Sequence, residues 1–116
     1  MTPYNPLDES QIRALGVEVV EAAQALASKR VPFLDGVRKL ASLRVRATSR
    51  DHDLDFMLFV AIDSESDHIP GSASRDLCSA DWLAKCDEQV SALETHYESQ
   101  VSAACERLVS RFAAGA

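Results

Sequence analysis

The sequence holds no apolar run longer than seven residues, at positions 56–62, whereas a membrane-spanning helix needs roughly 18 or more. No span is expected. The chain begins with neither a basic leader nor an apolar signal core, so secretion is not expected either, and the cytoplasm is the default location. Cysteine is scarce: Cys78, Cys86 and Cys105 make an odd number, and none stands in a CxxC pair. That pattern excludes the common zinc and redox motifs as well as a disulfide scaffold. Cys86 and Cys105 fall on one predicted helix, about 30 Å apart at 1.5 Å per residue, too far to bridge each other. Glycine and proline number four each, too few for a collagen-like or low-complexity chain. No aromatic residue stands among the basic residues of positions 38–50, so there is no platform on which nucleic-acid bases would stack.

What is present is a globular composition. The 116 residues are 47% hydrophobic and 26% charged, enough for one domain that buries about two-thirds of its unfolded surface. The net charge of -6 disfavours phosphate backbones as partners. Its distribution says more than its sum. Lys29, Arg30, Arg38, Lys39, Arg44, Arg46 and Arg50 stand against a single acid, Asp35, and then Asp51, Asp53, Asp55, Asp63, Glu65 and Asp67 follow with no base among them. The chain is bipolar in sequence.

Helical periodicity accounts for most of the rest. Asn5 and Pro6 form a cap and first-turn pair, and Ile12, Leu15, Val19, Ala22, Ala23 and Leu26 recur on one face, giving helix one over residues 6–29. Gly16 inside it costs up to about 1 kcal/mol unless a neighbouring helix approaches closely. Pro32 breaks that helix. Phe33, Leu34, Val37, Leu40 and Ala41 make the face of helix two, residues 32–43, with Asp35 spaced to pair with Arg38 or Lys39. Residues 43–48 alternate apolar and polar and read as helix end and loop rather than strand. The apolar run 56–62 is compatible with helix or strand. With Asp51 and Asp53 before it as caps and only a marginal hairpin partner available, helix three is expected over residues 53–62. Residues 64–78 carry turn chemistry and form a long loop. Ser79 then caps a helix over residues 79–113, whose stripe Leu83, Cys86, Val90, Leu93, Tyr97, Val101, Ala104, Leu108 and Phe112 steps by three or four. The steps follow 3.6 to 3.67 residues rather than a heptad, so a leucine zipper is not expected. At about 50 Å this helix outruns helix one, and its remainder needs helices two and three or a second copy of the chain to cover it.

The fold class that follows is all-α: about four helices in an antiparallel bundle built on the long C-terminal helix, as one domain over residues 1–116. Candidate sites are fewer. Asp63, Glu65, Asp67 and His68 offer oxygen and imidazole donors, but no EF-hand or HExxH spacing accompanies them, so no metal or cofactor is assigned. Arg44 and Arg46 in the basic stretch either bind an anion or complement the acidic segment. Trp82 is a core anchor or, if exposed, an interface hot spot. Cys86 and His96 stand about three turns apart on one helix, too far for a nucleophile and its base.

The segment FMLFVAIDSESDHIP at positions 56–70 resembles the pattern F-x-x-F-V-x-I-D-S-E-T-D-x-x-P found in a family of small uncharacterised bacterial proteins. That resemblance implies a bacterial origin and singles out residues 63–70. It carries over no catalytic role. The functional expectation is a protein-interaction module whose acidic body masks a basic partner, as an immunity protein masks its toxin. A homodimer is compatible with the long stripe. The alternative is a metal-dependent or carboxylate-based hydrolase built on residues 63–68.

Overall fold

The computed structural model describes residues 9–47 and 53–114. All its regular structure is helical: α1 (Glu9–Ala27), α2 (Phe33–Ala47), α3 (Leu54–Glu65), a short 3-10 helix (Ser72–Leu77) and α4 (Ala80–Ala114). The caps expected at Asn5 and Asp51, and the glycine at 115, lie outside the described residues.

The chain signals at each junction are physical. At the end of α1 the amide of Arg30 donates to the Ala25 carbonyl and that of Lys29 to Leu26, a Schellman closure that puts Lys29 at a φ of 61° where glycine is the usual occupant. Pro32 follows and starts the next helix. At α3 the Asp53 carboxylate accepts from the Asp55 amide, and at α4 the Ser79 hydroxyl accepts from the Trp82 amide; both fill orphan donors of a first turn. α2 keeps Val37, Leu40 and Leu43 fully buried on one face and runs to Ala47, four residues past the expected end. Arg44 and Arg46 occupy its last turn, where cations suit the helix dipole. The apolar run is helical and extends to Glu65, which shortens the expected loop at its start; the 3-10 helix shortens it further.

The core gathers Val19, Ala23 and Leu26 of α1, Val37, Leu40 and Leu43 of α2, Phe56, Phe59 and Ile62 of α3, and Val101, Ala104, Cys105 and Leu108 of α4. Ile12, expected on the buried face of α1, is 57% exposed: it sits one turn before Leu15, ahead of the point where α4 ends beside Gly16. Burial pushes the Cys105 thiol up to about 11, so it behaves as a small apolar side chain.

α2 lies against both α1 and α3, while α4 packs on α1 and α3 and barely meets α2. Contacts along α4 run backwards relative to α1. Gly16 faces Phe112 and Lys29 pairs with Glu98 at 3.6 Å, so these two helices point in opposite directions. α3 shows the same order, with Asp53 at Arg111 and Glu65 at Tyr97. Both helices therefore cover the C-terminal half of α4. The 35 residues of α4 reach about 52 Å, matching the longest dimension of the molecule, 51 Å. Toward its N-terminal half the connecting segment 66–79 reaches α4 through His68 at Gln89 and Arg75 at Asp87, while Leu26, Ala27 and Phe33 lie beside Glu94. Cys86 is buried there, while Leu83, Val90 and Leu93 are half-buried.

Two glycines make opposite predictions. A Cβ on Gly36 would lie 2.8 Å from Leu26 Cδ1, 3.1 Å from Leu26 Cβ and 3.2 Å from Val31 Cγ2, with Leu26 itself buried. Overpacking of that kind costs about 1–3 kcal/mol, more than the helix propensity an alanine gains, so Gly36→Ala should lower the urea midpoint. On Gly16 the nearest atom is the Phe112 carbonyl oxygen at 3.6 Å, an ordinary contact. Gly16→Ala should therefore raise the midpoint, by up to about 1 kcal/mol of stability.

Candidate functional site

The residues singled out between positions 63 and 68 belong to the end of α3 and the turn after it, and their neighbours divide them. Arg38 of α2 reaches across: its Nη2 donates to the carbonyls of Ser66 at 2.7 Å and Ile69 at 2.9 Å, and its Nε lies 3.4 Å from Asp63 Oδ1. A helix C-terminus and the turn after it leave carbonyls without helical partners, and one guanidinium nitrogen meets two of them at once. Asp63 is thereby tied to α2 and helps to hold the arginine. The Ser66 hydroxyl, fully buried, turns back to the Ile62 carbonyl at 2.8 Å.

Glu65 points the other way. Its Oε1 accepts from the Tyr97 hydroxyl at 2.7 Å, and that bond raises the tyrosine's pKa, keeping it a donor. His96 stands edge-on to the Tyr97 ring at 4.6 Å. His68 Nε2 meets Gln89 Oε1, and its ring lies 6.5 Å from that of Trp82. Asp67 is exposed. Asp63, Glu65 and His68 thus serve three different neighbours. Among the described residues no three His, Cys, Asp or Glu side chains gather closely enough to hold a metal ion.

The basic stretch is also divided. Lys39 and Arg46 converge on Glu18 of α1, at 2.8 and 3.6 Å, and the Lys39 hydrogen bond leads the causes that hold the Glu18 carboxyl below its ordinary value. The local pairing expected for Asp35 is not formed: Asp35 instead accepts from the Ser72 hydroxyl. Arg44 is half-buried in the last turn of α2. Among the pairs of this stretch, Arg38 meets the acidic segment through Asp63.

One cluster was not legible in the sequence. Arg111 Nη2 lies 2.7 Å from Asp53 Oδ2 and its Nη1 3.0 Å from Asp55 Oδ2, with Arg107 Nε 3.3 Å from Asp55 Oδ1. Asp53 is 3% exposed. Its hydrogen bond is the first cause raising the pKa of Arg111. The cluster clamps the start of α3 to the last turns of α4. The i,i+4 spacing of Arg107 and Arg111 was its only trace in the sequence.

Trp82 is 40% exposed at the head of α4, and Leu77 just before it is 88% exposed. Before and after them in the chain Asp67, Asp76, Asp81 and Glu88 are exposed and make no ion pair among the described residues. Arg75 is engaged by Asp87 at 2.8 and 3.1 Å, which holds that carboxyl below its ordinary value.

No described helix is long and apolar enough to cross a membrane. Compared with known proteins, the chain matches no family model, no curated sequence and no solved structure.

Proposed function

We propose that this chain is a protein-interaction module that presents an acidic surface to a basic partner, in the manner of a masking or immunity-type protein. The observation that carries the reading is the set of exposed carboxylates, without an ion pair among the described residues, that precede and follow an exposed tryptophan in the chain. Residues 51–116 hold 13 acids against 4 bases, and residues 1–50 hold 8 bases against 5 acids. Much of the basic charge is spent internally, on Glu18, Asp63 and Glu98. The surplus acids remain at the surface, where they steer encounter with an oppositely charged protein. In this reading the helices form an antiparallel bundle whose long member carries the binding face.

The carboxylates at positions 63 and 65 are engaged within the fold, so the informative variant changes the others: Asp67→Asn, Asp76→Asn, Asp81→Asn and Glu88→Gln together. Tagged wild type should capture a defined partner from native lysate at low salt and release it as salt rises. The variant, with an unchanged melting temperature, should not capture it. Equal capture by both chains would end the acidic-surface reading.

A further inference from the structure

We propose, building on the interaction reading above, that the groove beside α4 between Trp82 and Leu93 docks a basic amphipathic helix of the partner. α3 ends at Glu65, beside Tyr97, and between that end, the turn after it and α4 lies a shallow groove of about 300 Å³ lined by Glu65, His68, Gln89, Ala92 and Leu93. The His68–Gln89 contact fixes one wall and the Glu65–Tyr97 hydrogen bond the other. The imidazole of His68 carries the wall on to the indole of Trp82. From Trp82 to Leu93 is about 16 Å along α4, the length of three helical turns. Apolar anchors spaced three and four residues apart fit a groove of that kind.

The apolar elements are half-buried Leu93 and exposed Ala92 in the groove and the exposed Trp82 beyond His68. Tryptophan is among the residues that most often carry binding energy at an interface.

Charge selects the occupant. Asp67, Asp76, Asp81 and Glu88 flank the head of α4 and Glu65 lines the groove, whereas the only bases between positions 51 and 106 are Arg75 and Lys85. Arg75 is already bonded to Asp87. An acidic helix would meet like charge along its length, while lysine or arginine beside the apolar anchors would meet carboxylates.

Trp82 is the only tryptophan in the chain, so its fluorescence reports on this place alone. The full chain is titrated with a synthetic leucine–lysine amphipathic helix and with its leucine–glutamate counterpart. The lysine peptide should give a saturable blue shift that weakens with salt, and the glutamate peptide none. Ala92→Arg, an exposed position on the groove, should abolish the shift without lowering the melting temperature. No shift, the same shift from both peptides, or a shift that survives Ala92→Arg would overturn the proposal. So would a peptide-free shift that grows with protein concentration alongside a dimer mass in light scattering, because a second copy would then fill the groove. If the lysine peptide fails while the four-site charge variant still loses its lysate partner, the groove is wrong and the acidic-surface reading stands. If both experiments fail, neither survives.

Discussion

Phe59→Ala should remove about 3–5 kcal/mol of stability, among the largest losses expected from a single truncation. Phe56, Phe59 and Ile62 recur every three residues along α3, and all three are fully buried. They reach the core shared with α2 and α4, where Phe56 also meets the Phe112 ring edge-on at 6.0 Å. Deleting a phenyl ring from the middle of that row removes its transfer free energy and leaves a cavity that rigid helix backbones cannot collapse around. Domains of this size are typically stable by about 5–15 kcal/mol, so the melting temperature should fall by more than about 10 °C. Leu54→Ala is the control. It lies on the same helix but is 83% exposed, and its effect should stay within about 0.5 kcal/mol. Thermal and urea unfolding followed by circular dichroism measure both. Equal effects for the two would mean that α3 does not present the face described.

Helix class and the long C-terminal rod were readable in the sequence because period and capping agree there: Ser79 stops one element and starts the next, and no proline or glycine interrupts α4. The run at 56–62 was ambiguous for a definite reason. Its residues are apolar on every face, so periodicity carries no information, and the helix reading rested on Asp51 and Asp53 as caps and on the want of a good strand partner. The end of α1 was hidden because the left-handed position fell on Lys29 rather than on glycine. Gly36 gave no warning either, since its role depends on Leu26 and Val31 arriving from the preceding turn.

The candidate site was legible only as composition. Sequence spacing placed Asp35 beside Arg38 and Lys39, but tertiary packing offered each a better partner: Ser72, the end of α3 and Glu18 respectively. Nearest-neighbour pairing fails in this region because local ion pairs on an exposed helix are worth only a few tenths of a kcal/mol. Arg38, by contrast, meets two backbone carbonyls and a carboxylate. The exposure of Trp82 was likewise open until the reach of α3 along α4 was known. Had α3 extended one more turn, it would have lain closer to the indole.

Arg38→Met should destabilise the protein by about 2–4 kcal/mol and loosen one segment more than the rest. The methionine keeps much of the aliphatic stem but loses both donors to Ser66 and Ile69, and hydrogen bonds from charged groups are worth about 1.5–3 kcal/mol each. Ser66 is fully buried and Ile69 nearly so, so water replaces the guanidinium poorly. The Ser66 carbonyl retains the Ile69 amide at 2.9 Å, which limits its share of the loss, while the Ile69 carbonyl bears the larger part. Arg38→Lys keeps the charge, but its one ammonium must stand in both for Nη2 at the two carbonyls and for Nε at Asp63, so it should recover only part of the stability. Hydrogen exchange should show lost protection at Ile69 under conditions where the amides of α1 stay protected. His68 lies between Ser66 and Ile69 and forms the wall beside Trp82. Arg38→Met should therefore also weaken the lysine-peptide response of Trp82 at temperatures well below the variant's melting point, although Arg38 lies outside the groove. If Arg38→Met matched wild type in stability and in Ile69 protection, the carbonyl bonds of Arg38 would be idle and the turn after α3 would be held by its own backbone.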